Sequence, residues 1–341
     1  MAKSYPRRDK ASGIWRVTDI ADNLQKYGTW PTSGSTRALW GGGGEPGVSE
    51  VIDYLTVSTT GDAADFGNLT VARNHISSNF SSYTRGSWGG GVAPSYSDVV
   101  DYVTIMSTGD AADFGNLSVA KIGAIGGSTS IRGLFAGGQG DNPYPTVNVI
   151  DYFAIATTGN STDFGDLTET QYSGGAVQSP TRCVFHNGSS PSNTNVMDFV
   201  QFSTTGNAVD FGNSTVSKEG RKGTSSHTRG VMGGGDPSQT NVIDYITIAS
   251  AGDAIDFGDL SVGKGYHGST SNLTRGLWGG GNSPSNPINI IDYITISNAG
   301  NATDFGDLSL ARNSIDACSS GHGGLEFQDP DVRFAPTPGV W

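Results

Sequence analysis

Arg275-Gly-Leu-Trp-Gly-Gly-Gly-Asn-Ser-Pro-Ser-Asn-Pro-Ile-Asn-Ile-Ile-Asp292-Tyr-Ile-Thr-Ile-Ser-Asn-Ala-Gly300-Asn-Ala-Thr-Asp304-Phe-Gly306 is one copy of a unit that the chain repeats six times. Three anchors mark every copy. The Arg recurs at 37, 85, 132, 182, 229 and 275, and the first Asp at 53, 101, 151, 198, 244 and 292. The Phe of Asp-Phe-Gly recurs at 66, 114, 164, 211, 257 and 305. Successive copies are 46 to 50 residues apart, a period that belongs to solenoids, propellers or arrays.

Within the unit the text reads as strands. Asn241-Val-Ile-Asp-Tyr-Ile-Thr-Ile248 is β-branched and aromatic and apolar on both faces, as a strand packed between neighbours requires. Gly252-Asp253, elsewhere Gly159-Asn160 or Gly61-Asp62, then supplies a positive-φ residue and a side chain able to close a turn. The Asp-Phe-Gly segment follows as a second short strand, and no stretch of 10 residues keeps a 3.6-residue period with helix formers. Four short strands per copy, joined by Gly-rich turns, predict propeller blades. The first copy opens at its second strand, Thr36 to Gly42, and an orphan first strand, Leu310 to Ser320, follows the sixth Asp-Phe-Gly. The expected fold is therefore all-β: a six-bladed propeller of four-stranded blades over 35–324, closed by residues 310–320 joining the N-terminal blade. Such closure removes open sheet edges.

The copies resemble the kelch repeat family over about residues 35 to 322. The family's Gly doublet, strand Asp-Tyr, aromatic and opening basic residue correspond here to Gly279-Gly280, Asp292-Tyr293, Phe305 and Arg312. Phe replaces the family's Trp in all six copies, and the opening basic residue is missing at Glu169 and Thr170. The resemblance implies the same kelch-like propeller.

Composition limits the function. The chain has 341 residues with 51 Gly and 14 Pro, and its 20 basic against 32 acidic residues give a net charge of −12. That balance argues against binding a phosphate backbone. The longest apolar run is five residues, Tyr152 to Ala156, far short of the roughly 20 that span a bilayer. No nucleic acid and no membrane insertion are expected, and no secretory signal is readable at Met1 to Lys10.

Residues 1 to 34 carry a different text, with Ser12-Gly-Ile-Trp at one end and Trp30-Pro31 at the other. This segment, together with Thr-Arg-Gly-x-Trp-Gly-Gly-Gly and Asp-Phe-Gly-Asp-Leu, resembles tail and tail-fibre proteins of bacteriophages, marine ones especially. The resemblance implies a virion location in the tail or another exterior appendage, with other tail proteins as partners. Trp15, Ile20, Leu24, Tyr27 and Trp30 are then the expected anchor, and 325–341 an extended arm.

Motifs of chemistry dissolve on inspection. Gly42, Gly44 and Gly47 fit a dinucleotide fingerprint by letter, but Pro46 and a strand follow where a helix is needed. Asp-Phe-Gly holds metal once per protein kinase, whereas here it recurs six times in a strand unit. The sequons at Asn68, Asn160, Asn272 and Asn301 read as turn residues. Asp62 and Asp65, or Asp253, Asp256 and Asp259, match no calcium loop, and Asn stands for Asp at neighbouring phases. His75, His186, His227, His267 and His322 occupy different phases of the repeat, and no Gly-x-Ser-x-Gly nucleophile motif occurs. No catalytic set, metal or cofactor is expected. The repeated Arg and strand Asp are expected to pair within each blade, because a strand Asp between blades would be costly unpaired. Cys183 and Cys318 are expected in opposite blades, too far apart to bridge.

Variation concentrates in one place. The strand Asp and repeat Phe are 13 residues apart in every copy, while the Arg-to-Asp interval runs 16, 16, 19, 16, 15 and 17. The loops between second and third strands therefore differ, and all six must emerge on one face. Constant scaffolds with variable loops build binding surfaces. Tyr96, Asp141 and Tyr144 in these loops, and His186 in the divergent fourth copy, are the candidate partner contacts. The expected function is a non-enzymatic virion protein, displaying the propeller for assembly and for host-surface polysaccharide. A free lectin-type or adaptor module is the alternative, and an enzyme using the central pocket ranks last.

Overall fold

A computed structural model describes residues 36–326, apart from 45, 46, 77–79, 142 and 285. The expected anchor residues Trp15, Ile20, Leu24, Tyr27 and Trp30, and most of the C-terminal arm, lie outside the described residues.

Six small antiparallel sheets form a six-bladed β-propeller, with no helix among the described residues. Blade one contains Asp316–Ser319, Arg37–Gly41, Val51–Thr56 and Ala64–Asn68, in that order from first strand to fourth. Its first strand comes from the C-terminal end of the ring, with Ala38 opposite Ser319 and Gly41 opposite Asp316. The closure read from the orphan strand is what the fold uses. Blades three to six each have four continuous strands; in blade two three are continuous, and Ser81 bridges Gly86 where the first strand belongs.

The core is distributed between blades. Leu39, Ile52, Phe66 and Leu69 of blade one pack with Trp88, Val103 and Ile105 of blade two, and five similar clusters occupy the other interfaces. This is why the third strands are apolar on both faces. Each Asp-Phe-Gly Phe is 2% exposed and meets a third-strand aromatic edge-on, as Phe66 does Tyr54 at 5.8 Å. Burying one such ring is worth about 1.5–3 kcal/mol. The triplet's Gly has a separate role. Gly306 has φ +147, and a Cβ there would lie 2.5 Å from the backbone of Gly61. Through this approach the Gly61 N–H donates to the Phe305 carbonyl at 2.8 Å, and every blade joins the next in the same way.

The turn Asp or Asn also acts between blades. Asp62 accepts the backbone N–H of Asp307, Asp110 that of Asn68, and Asn160 that of Asn116. The remaining three joints repeat the bond. Either residue supplies one side-chain oxygen, which explains their interchange without invoking a cation.

The expected pairing of the repeated Arg with the strand Asp does not occur. Antiparallel register places Arg37 opposite Thr56, whereas Asp53 lies opposite Trp40. The Arg instead stacks on the diagonal aromatic, Arg37 lying 4.5 Å over Tyr54, and donates to a carbonyl of the next blade, Ile105. All six copies do this, ending with Arg275 donating to Val57 of blade one. The strand Asp takes its cation from the connection that enters its blade. The pairs are Arg312–Asp53, Arg73–Asp101, Lys121–Asp151, Arg221–Asp244 and Lys264–Asp292, at 2.6 to 2.9 Å. In copy four Gln171, rather than Glu169 or Thr170, occupies the basic position. Asp198 there is held by the Thr168 N–H and hydroxyl, and burial raises its pKa. Copy five adds a substitution of its own: Lys218 reaches the Pro237 carbonyl, and Arg221, three residues on, takes the Asp.

Candidate functional site

The axis and the loop face are the two places where the ring could meet a ligand. First strands run along the axis, and a hydroxyl in five of the six copies forms a belt there. Ser128 donates to the Ser81 carbonyl, Ser271 to Ser225 and Ser319 to Ser271. Gln178 occupies this phase in blade four and interrupts the belt. Its side-chain amide lies 3.1 Å from His322 Nδ1, while His322 Nε2 lies 3.3 Å from the Ser128 hydroxyl and 3.1 Å from the Ser81 carbonyl. Residues 320–326 thus fold over this mouth as a plug. Gly324 is required there, since a Cβ would lie 1.9 Å from the Ser128 carbonyl. Leu325 and Glu326, the first residues of the expected arm, belong to this plug: His227 reaches the Leu325 carbonyl, Tyr83 donates to that of Glu326, and Leu325 is buried. Burial pushes the His322 pKa down to about 4.

Above the belt Lys222 of blade five reaches past Gly268 to Asp316 of blade one, with 3.1 Å between charged atoms. The remaining axial cavity is about 40 Å³, lined by Ser81, Ser128, Lys222, Thr224, Ser271 and His322 among others. That volume holds water, which needs about 10–15 Å³ per molecule; ligand pockets span roughly 300–1,000 Å³.

At the opposite mouth six residues of one phase form a backbone chain. The N–H groups of Gly123, Ser173, Gly220, Tyr266 and Ser314 donate in turn to the carbonyls of His75, Gly123, Ser173, Gly220 and Tyr266. The non-Gly members, His75, Ser173, Tyr266 and Ser314, have φ between 48° and 57°. Around this mouth lie the second-to-third-strand loops, as the spacing predicted. In every blade the loop bridges the incoming connection, as Asn74 does Val92 and Glu219 does Asp236.

Three of the four candidate contacts are on this face, and they meet. Tyr96 of blade two and Tyr144 of blade three have ring centroids 6.1 Å apart at 54°, and the Tyr96 hydroxyl is 3.4 Å from Gln139 Oε1. Asp141 is beside them, and Tyr144 is 56% exposed. Burial, with Tyr144, Asp141 and Tyr172 nearby, raises the Tyr96 phenol. His186 does not join them. It is fully buried, with Nδ1 3.2 Å from Asn187 Oδ1, and burial lowers it to about 3; the expectation that it touches a partner is corrected. Its replacement of a Gly fills the space left by Gly175 and Gly223, whose Cβ atoms would lie 2.8 Å from its Nε2.

The single-copy reading missed Tyr172, Glu219 and Tyr266, which extend this surface. Burial and the nearby Glu219 raise the Tyr172 phenol; the Tyr266 hydroxyl donates to Glu219, and its ring stacks on His75 at 6.3 Å and 9°. Burial raises the Glu219 carboxyl, and Tyr266 opposes that shift. Tyr172 and Glu219 stand at a phase that reads Asn74, Ile122, Gly265 and Asn313 in the other copies, so the signal was variation at one phase of the repeat. Among the described residues, no three His, Cys, Asp or Glu side chains gather as metal ligands. The fold and these two sites define a six-bladed β-propeller with a plugged axis and a tyrosine-bearing loop face. Compared with known proteins, the chain matches no family model and no curated sequence.

Proposed function

We propose that this chain is a non-enzymatic virion protein of a bacteriophage, carried in a tail fibre or tail tip. In this reading the propeller makes assembly contacts and presents its loop face to host-surface polysaccharide. The observation that carries the binding role is the meeting of Tyr96, Asp141 and Tyr144, from loops of two blades, on the face where the repeat varies. Constant strands holding variable loops are a binding architecture. The axial cavity, about 40 Å³, has room for water rather than for a substrate at that one place. The virion assignment rests on the resemblance of residues 1–34 and the repeat text to tail proteins, and the net charge of −12 favours partners other than nucleic acid.

Electron microscopy of virions carrying a labelled copy tests the assignment. A propeller lacking residues 1–34 is expected to fold, because the ring is complete from Thr36 onward, and to be absent from assembled particles. Normal incorporation of that truncated chain would remove the anchor role. Absence of the full chain from every virion would remove the assignment.

A further inference from the structure

The loop of copy three is the longest of the six, with 19 residues from Arg132 to Asp151, and it is built rather than slack. Gln139–Gly140 pairs with Lys121–Ile122, the Gly140 N–H donates to the Pro145 carbonyl, and the Tyr144 N–H donates to that of Asp141, the last two bonds both 2.9 Å. At its tip Tyr144 has φ +66. A left-handed backbone is strained at a non-Gly residue, and a 56% exposed ring recovers little of that strain by burial. Strain held in an ordered loop, under an exposed aromatic, is a feature of ligand clamps. The neighbouring ring is inclined 54° to it, so the pair opens as a cleft rather than closing as a stack. The bond from the Tyr96 hydroxyl to Gln139 fixes one wall. Tyr172, entering from the connection to blade four, is close enough to help raise the Tyr96 phenol.

We propose that Tyr96 and Tyr144, flanked by Gln139, Asp141 and Tyr172, form a subsite for the pyranose rings of a neutral polysaccharide; the inference rests on the loop face being a glycan-recognition face. A pyranose has an apolar C–H face and an edge of hydroxyls. Tyrosine offers a matching apolar body and polar tip at low entropic cost. The Asp141 carboxylate and the Gln139 carbonyl are acceptors for sugar hydroxyls. Asp141 and, farther along, Glu219 give this part of the face negative charge, which repels uronic and sialic acids and leaves uncharged hexoses as the fitting class.

The test uses the full chain against immobilised dextran, β-1,3-glucan, mannan and galactan as neutral probes, with alginate and polysialic acid as acidic ones. Tyr96→Ala, Tyr144→Ala and Asp141→Asn are compared with wild type and with Ile131→Ser, a 72% exposed position in the turn between first and second strands. Thermal unfolding of each variant checks that the ring persists. The wild type is expected to bind at least one neutral polymer, and each Tyr variant to lose about tenfold or more in affinity, equivalent to about 1.4 kcal/mol. Ile131→Ser is expected to bind as wild type does. Undiminished binding by both Tyr variants would overturn the subsite and leave the glycan reading standing. Binding of acidic polymers alone would overturn the ligand class, and binding of none by the wild type would overturn the subsite and the glycan reading together.

Discussion

Replacing Arg312 with Met should weaken the ring at the joint where its two ends meet. Arg312 is 1% exposed and bonds four acceptors: Asp53 Oδ2 at 2.8 Å and the carbonyls of Gly42, Val51 and Trp40 at 2.8, 2.6 and 3.3 Å. All four lie in blade one, while Arg312 arrives from blade six just before the closing strand Asp316–Ser319. Methionine keeps the apolar stem and removes every donor, leaving Asp53, 0% exposed, without a cation and bonded, among the described residues, to the N–H and hydroxyl of Ser309. Breaking a buried pair by deleting one partner costs about 3–5 kcal/mol, a large share of the roughly 5–15 kcal/mol that holds a domain folded. Copy four shows that the ring tolerates such an Asp, since Asp198 has Thr168 donors and, among the described residues, no cation, so the variant should still fold. Urea unfolding followed through the buried Trp40, Trp88 and Trp278 reads the loss. Adding Asp53→Asn removes the stranded charge and should recover part of the stability. A loss below about 1 kcal/mol, or a double variant no more stable than Arg312→Met alone, would refute the desolvation argument.

Acid should weaken the fold through His322. Its folded pKa of about 4 is below the ordinary value near 6.5, so the unfolded chain takes up the proton first as pH falls. The stabilisation is complete above 6.5 and is lost between 6.5 and 4, up to about 3 kcal/mol; His322→Gln should flatten the urea midpoint against pH, and equal slopes would show that His322 is not held neutral. His186, lowered to about 3, adds to the same trend in both proteins and cancels in the comparison. Ending the chain after residue 309 removes Arg312 and the strand opposite Arg37–Gly41, and should replace one sharp unfolding transition by a broad one; an unchanged transition would mean that closure carries no cooperativity. Cys183 and Cys318 are buried free thiols in blades four and one, and burial pushes both pKa values up. A thiol reagent should find neither in the native protein and both in denaturant, and a non-reducing mass lower by two hydrogens would contradict this.

The sequence by itself determined the fold to the level of strand order. Period, strand text and the phase of the orphan segment sufficed for six blades and for the pairing of Asp316–Ser319 with Arg37–Gly41, because each anchor is stated six times and errors in one copy are outvoted by five. It determined as well where the variable loops emerge, since alternation of strand direction fixes the face. Only the tertiary structure decided which partners the charged anchors take. Arg37 and Asp53 are close in sequence spacing yet separated by antiparallel register, and the cation for Asp53 comes from Arg312, 259 residues away through the closed ring. The meeting of Tyr96 with Tyr144, the burial of His186 and the His322 plug were hidden for the same reason. Each is a non-repeated residue with a neighbour in another blade, Gly223 for His186 among them, and such neighbours are set by the curvature of the ring rather than by any pattern within one copy.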